Sequence, residues 1–363
     1  MIKSSEYIFL GSARCFHTID WYESACSIVG SDVPFVTDSI DGEGFSCLVS
    51  SKAALKKLFI IDNLLPNKTS NLTHKYRNLL KLLLIPIQVL ILKRFTKQNK
   101  DAIFFAHSTY YAFLASLAHC NYVSTPQGSE VLVRPEKSRF YFWFSKVAHR
   151  NAMLVTLDSL NMQKKLYDLH GIDSVVVQNG VNIKSILQSR KKNIKKEKIL
   201  SIRGLMKNYR IKEILNDRNS HIKDLKIDIC CPFFDEDYKK VLMNEITEID
   251  TIHGMLSHND FSNLLLRSKI VVSIPISDSS PRSVYEAIFS GAIAIISDNQ
   301  YFNSLPECMK RRVIVINYKP GWLKESINKA NDLIDLEYMP SEEAIEMFDQ
   351  HKSFSRVIAH LKN

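Results

Sequence analysis

Short apolar runs alternate with helix-periodic segments along the chain, and this alternation restricts the fold more than any other feature. The runs stand at Tyr7–Leu10, Ile103–Ala106, Tyr122–Thr125, Met153–Thr156 and Val175–Val177, then from Ile199 to Ile202, at Ile227–Cys231, Ile270–Ile276 and Ala292–Ile296. Strand and helix in alternation build parallel sheets covered on both faces, and ligands of such sheets bind beyond the strand C-termini. The charged run Arg190–Lys198, RKKNIKKEK, separates two series. A chain of 363 residues is long for one core and comfortable for two. The expectation is an α/β protein of two Rossmann-like, doubly wound domains facing a cleft. They span residues 1–185 and 199–345, with a basic linker at 186–198 and a C-terminal helix at 346–363 packing back on the first domain.

The stretch Ser273–Asp298, SIPISDSSPRSVYEAIFSGAIAIISD, places two carboxylates, Asp278 and Glu286, eight residues apart across a strand, loop and helix start. The spacing predicts a strand to Ile276, a polar loop over Ser277–Ser280, Pro281 in the first turn of a helix running to Phe289, and Gly291 closing it. The stretch Ser279, Ser280, Pro281, Arg282 and Ser283 then presents backbone N–H groups at a helix N-terminus, where unpaired donors and the helix dipole favour phosphate. A carboxylate before a helix also serves as a cap, and a helical Glu is commonly solvated.

This segment resembles the E-x7-E element of retaining glycosyltransferases of the GT-B fold, family 4 type. Its usual continuation, E-A-M-x-x-G-x-P-V-I, corresponds to Glu286, Ala287, Ile288, Gly291, Ala294 and Ile295, with Asp278 in place of the first Glu. Some bacterial surface-polysaccharide enzymes have a similar S-D-x-x-S-x-x-x-x-E form. In Lys198–Leu215, KILSIRGLMKNYRIKEIL, Arg203 matches the family arginine that grips the donor diphosphate. The family lysine position falls on Asn208, leaving Lys207 and Arg210 as substitutes. Ser174–Ile183, with the Asn179-Gly180 turn, resembles the V-I-x-N-G-V-D close of the first domain. Ser124–Glu130, STPQGSE, resembles the T-x-H-G-x-D loop over the donor sugar, with Gln127 for His and then Gly128.

The resemblance implies transfer of a sugar from a nucleotide-diphosphate donor to a hydroxyl of a glycan or lipid-linked glycan, with retention and with neither metal nor cofactor. It implies that Arg203 and Lys207 or Arg210 stabilise the departing diphosphate, Glu286 holds the ribose, and Asp278 and Gln127 hold the sugar. Gly11 and His17, after the first strand, are the acceptor-side candidates. A sugar-nucleotide epimerase, or a catalytically silent nucleotide-sugar binder, is the rival expectation.

Seven cysteines, at 15, 26, 47, 120, 230, 231 and 308, have an odd count and no metal spacing, and they read as thiols of a reducing compartment. The opening MIKSSEYIFLGS is too short in its apolar part for an export signal, so the expected location is cytoplasmic. Asp235-Glu236-Asp237 follows a strand and opens a helix over Tyr238–Ile246, so it is expected to be first-turn acid and not a metal site. The formal charge of +10 is uneven: residues 63–100 hold eight cations, Lys68 to Lys100, and no acid, around an apolar run from Leu82 to Leu92. That run is too short to span a bilayer and suits either a membrane interface at the inner face of the cell membrane or a buried helix with a basic outer side. The aromatic cluster Phe140–Phe144 suits the same two readings. No nucleic-acid motif accompanies the charge, so nucleic acid is not expected as a partner.

Overall fold

The computed structural model describes residues 6–30, 33–38, 40, 55–58, 71–190 and 194–362. Cys47, Lys68 and residues 191–193 of the charged run lie outside these, as do the side chains of Lys75 and Arg77. The chain divides into two units, Met1–Asn179 with Gln350–Asn363, and Gly180–Asp349.

The first unit runs β1 (Tyr7–Leu10), α1 (Phe16–Val29), β2 (Phe35–Thr37), β3 (Leu55–Lys57), α2 (Asn71–Gln98), β4 (Ile103–His107), α3 (Thr109–Ala118), β5 (Asn121–Thr125), α4 (Gly128–Leu132), α5 (Arg134–Lys137), α6 (Arg139–Arg150), β6 (Leu154–Leu157), α7 (Leu160–His170) and β7 (Val175–Val176). All its strand pairs are parallel, in the order β3-β2-β1-β4-β5-β6-β7. Side chains alternate across β1: Ile8 and Leu10 enter a core with α2, α3 and α6, whereas Tyr7 and Phe9 enter a second core with α1. Right-handed crossovers explain the sorting, because the connections leading toward β4, β5 and β6 all move the same way along the sheet.

The second unit continues with α8 (Ile183–Arg190), β8 (Lys198–Ser201), α9 (Ile211–His221), β9 (Asp228–Cys230), α10 (Glu236–Met243), β10 (Thr251–His253), α11 (His258–Arg267), β11 (Ser268–Ser273), α12 (Arg282–Phe289), β12 (Ile293–Ile296), α13 (Glu307–Lys310), β13 (Val313–Val315), α14 (Trp322–Ile334) and α15 (Glu342–Phe348). Its sheet is also parallel, ordered β10-β9-β8-β11-β12-β13. Ile270, Val272, Ile293 and Ile295 face one core, and Val271, Ala294 and Ile296 face the other. The last helix, α16 (Gln350–Lys362), belongs to the first unit. There Phe354 packs edge-on against Trp21 at 5.3 Å and Phe105 at 4.9 Å between ring centroids, and Gln350 Nε2 donates to Ser24 Oγ at 2.8 Å.

The charged run takes a different place from the expected linker. Arg190 ends a helix of the second unit and donates to the carbonyls of Phe289 at 3.3 Å and Tyr338 at 2.8 Å. Lys196 donates to Leu266 O at 3.0 Å and Ser290 O at 2.8 Å, and Arg312 to Gly291 O at 2.7 Å and Leu333 O at 2.8 Å. Helix C-termini leave carbonyls unsatisfied and carry partial negative charge, so these cations close the ends of α11, α12 and α14.

Candidate functional site

In the second unit the turn after β8 and the loop after β11 stand at the C-terminal edge of the parallel sheet, on neighbouring strands. Arg203 lies two residues past β8, with its side chain mostly covered. Its Nη2 donates to Asp278 Oδ2 at 2.5 Å and its Nε to Ser273 Oγ at 2.7 Å. The guanidinium carbon sits 5.5 Å from the centroid of the Tyr209 ring. Nη1 makes no hydrogen bond to any described residue. The cation assigned to a diphosphate and the carboxylate assigned to a sugar are therefore one pair.

β11 ends at Ser273, not Ile276, and the backbone of Ile276 turns instead to donate to Asn208 O at 2.7 Å. Asn208 Nδ2 also donates to Ser277 O at 3.2 Å. The residue at the family lysine position thus ties the Arg203 turn to the Asp278 loop, a role that spacing gave no sign of. The turn comes close to its other neighbour at Gly204, where a Cβ would lie 2.6 Å from the carbonyl oxygen of Phe233. Of the two substitute cations, Lys207 is exposed and its side chain has no ion pair among the described residues. Arg210 is turned to Tyr318, donating to its hydroxyl at 2.5 Å.

Pro281 is the N-cap of α12 and not a residue of its first turn, and a proline has no N–H to give. The N–H of Ser279 is held by Asp278 Oδ1 at 2.9 Å and that of Arg282 by Ser280 O at 3.0 Å. Of the five positions expected around an anion, three thus offer no open N–H in this conformation. Glu286 lies one turn into α12 and accepts from Arg282 Nε at 3.2 Å. It lines a small pocket whose wall combines Asn182, Ser185 and His258 with the aliphatic side chains of Ile186, Leu265 and Leu266. Asp278 and Glu286 each have their own arginine.

Tyr301 was not foreseen. It follows β12, in a 3-10 turn whose approach is pinned to the β11 loop by Ser297 Oγ donating to Pro275 O at 2.7 Å. The residue is 3% exposed and its hydroxyl has no hydrogen-bond partner among the described residues. Burial pushes its phenol far above the ordinary range, with Arg203 acting against that and Asp278 adding to it. Tyr209 is raised by burial under the same two influences.

The first unit places its candidates at the C-terminal ends of its own strands. Gly11 follows β1, and a Cβ there would meet Thr18 Cγ2 at 2.6 Å. His17 is exposed on α1. His107, at the end of β4, shares a 3.0 Å hydrogen bond with Thr18 Oγ1, and its Nε2 has no partner among the described residues. Burial, then the charge of His17, pulls His107 down to about 3, so it is neutral at physiological pH. Gln127 caps α4, which Gly128 opens. Its N–H donates at 3.0 Å to Glu130 Oε2, which also accepts from the N–H of Thr109 at 2.8 Å. Glu130 is buried and fixes this loop to the end of β4, a task the sequence comparison left unassigned. Asp235 caps α10, accepting from the N–H of Tyr238 at 2.9 Å.

No family model and no curated protein sequence matches the chain. Solved structures do. HepE of Anabaena in complex with UDP superposes with a TM-score of 0.69 at 12% identity, covering 98% of this chain and 99% of that one. HepE has also been solved with UDP-glucose. Sucrose-phosphate synthase of Thermosynechococcus elongatus gives 0.72 at 11% identity over 98% of each chain. A protein assigned as a UDP-N-acetylglucosamine 2-epimerase from Listeria monocytogenes gives 0.61 at 12% identity, over 98% of this chain and 95% of that one. Likeness at such identity shows architecture, and with the two parallel sheets it establishes that the chain has the two-domain α/β GT-B fold.

Proposed function

We propose that the protein transfers a sugar from a nucleoside-diphosphate sugar to a hydroxyl of a glycan or lipid-linked glycan, with retention at the anomeric carbon. The observation that carries this reading is Arg203, fixed at a sheet C-terminal edge by Ser273 and Asp278 with Nη1 left over. Guanidinium binds phosphate oxygens through several N–H groups at once, and a guanidinium already oriented loses little freedom in doing so. Negative charge grows on the diphosphate as the glycosidic bond breaks, so a cation held in place stabilises the transition state more than the ground state. Lys207, exposed and with no ion pair among the described residues, is the second cation of this reading, and Arg210 is not. A phosphate oxygen takes the acceptor proton on the face the leaving group occupies, and side-chain cations meet the charge without a metal.

Glu286, opening on its small pocket, holds ribose hydroxyls, and Asp278 reaches the sugar while it orients Arg203. Gln127 and Gly128 contribute to the sugar, and Gly11 and His17 to the acceptor. HepE has been solved with UDP and UDP-glucose, which makes uridine donors the first probes.

Calorimetry of the full chain with UDP, UDP-glucose and the corresponding guanosine and adenosine compounds tests the reading. One nucleotide sugar is expected to bind and, with a glycan acceptor, to release nucleoside diphosphate in the presence of EDTA. Conversion of the bound donor to an isomer without acceptor would replace transfer by epimerisation, and binding with no turnover would leave a silent binder.

A further inference from the structure

Helix α2, Asn71–Gln98, is 28 residues long, about 42 Å at 1.5 Å per residue. Its inner side is core: Val89 and Leu92 are buried with Phe104 and Tyr111, and Gln88 donates to the buried Asp38 at 3.0 Å. The outer side is not the polar face such a helix normally turns to water. Tyr76, Leu79, Leu83, Ile87 and Leu90 are all exposed, Leu83 by 66% and Leu90 by 61%. Their spacing of three and four residues keeps them within one stripe of about 80° at 100° per residue. Continuing the same stripe toward the C-terminus brings Arg94 and then Lys97, both exposed.

Helix α6, Arg139–Arg150, repeats the combination. Its exposed positions are Arg139, Phe140, Trp143, Lys146 and Arg150, two aromatic rings among three cations, and the helix contains no acid. Both helices pack on α3, which is almost wholly buried, and all three cover the same face of the sheet. The two apolar faces therefore point outward from one side of the first unit.

We propose that this side of the first unit docks on an anionic lipid bilayer, with α2 lying in the plane of the interface. Exposed leucines in a continuous stripe are expensive in water and are covered when the helix sinks to the level of the acyl chains. Lysine and arginine beside them reach lipid phosphates, and an indole ring suits the headgroup region. No helix among the described residues is long and apolar enough to cross a membrane, so the contact is superficial. A protein partner explains the leucines but not the absence of acid from residues 63–100, and a nucleic acid explains the cations but not the leucines.

The test uses the full chain and vesicles of phosphatidylcholine with and without 30% phosphatidylglycerol, and it reads binding by flotation. Of the three tryptophans, Trp21 and Trp322 are buried and Trp143 is exposed, so quenching by bromine-labelled lipid reports α6. The expected result is binding to the anionic vesicles, quenching that vanishes in Trp143→Phe, and a loss on the order of tenfold or more for Leu83→Ser with Leu90→Ser. Arg94→Glu with Lys97→Glu should cost on the order of tenfold or more, with an unchanged thermal midpoint. These residues lie outside the proposed donor site, so nucleotide binding should be untouched in every variant. Absence of flotation with anionic vesicles, or flotation without Trp143 quenching, overturns the proposal. A dimer in solution that Leu83→Ser and Leu90→Ser dissolve would also overturn it and give the surface to a second copy of the chain.

Discussion

Removing the Arg203 guanidinium takes away positive charge where charge develops, so Arg203→Ala should lower kcat on the order of 100-fold with little change in nucleotide affinity. Stopped assays with the cognate donor measure this, and turnover within twofold of the parent would remove Arg203 from the site. Because Asp278 holds that guanidinium at 2.5 Å, Asp278→Asn should also lower kcat, besides weakening the intact sugar nucleotide. The family resemblance implied a sugar-directed Asp278 and gave no sign of its pairing with Arg203, since nothing in a sequence shows which side chains fold onto each other. Glu286→Gln exchanges an acceptor oxygen for a donor, so affinity for the free nucleoside diphosphate should fall by about 1.5–3 kcal/mol in calorimetry. Tyr301→Phe removes a buried hydroxyl that has no partner among the described residues, which should leave the thermal midpoint unchanged or higher. Donor affinity should drop in the same variant if that hydroxyl turns to a ligand, and equal affinity would return Tyr301 to the core. No motif marks Tyr301; only its burial beside the charged pair does.

Among the elements, the long apolar strands were legible because strands covered on both faces need unbroken hydrophobic runs, as at Ile270–Val272 and Ile293–Ile296. The strands Phe35–Thr37, Leu55–Lys57, Thr251–His253 and Val313–Val315 have only three residues each, too few for a periodic signal, and all four lie toward the outside of their sheets. The charged run misled for a different reason. Lysine and arginine read as solvated until helix ends with bare carbonyls are placed around them. Lys196 in that position is pulled down to about 8 from its ordinary 10.5, first by burial and then by Arg190 and Arg312. Between those two values the unfolded chain binds a proton that the folded chain has released, so stability should rise with pH across that window and be lower beneath it. Urea midpoints at pH 7.5 and 9.5 measure the rise, and Lys196→Met should reduce it. A flat midpoint in the parent would show that the carbonyls of Leu266, Ser268 and Ser290 hold the ammonium charged after all.

Over the whole molecule, division into two units, each with its own hydrophobic packing, predicts unfolding in more than one transition. Phe354 belongs to the core of the first unit although it comes 175 residues after that unit's first segment ends at Asn179. Phe354→Ala should cost about 3–5 kcal/mol and act on the first unit's transition alone, which calorimetry resolves. Equal displacement of both transitions would mean that the two units melt as one. The same placement of α16 sets the order of events during synthesis. Domains commonly fold from the N-terminus as they are made, at about 5–20 residues per second. Here the ribosome must deliver all of the second unit before the helix that seals Trp21 and Phe105 exists, roughly 10–40 s after residue 179 at those speeds. Until then the half made first has an open seam, and the half made second is the first able to finish, so the nascent N-terminal half is where a chaperone would be needed.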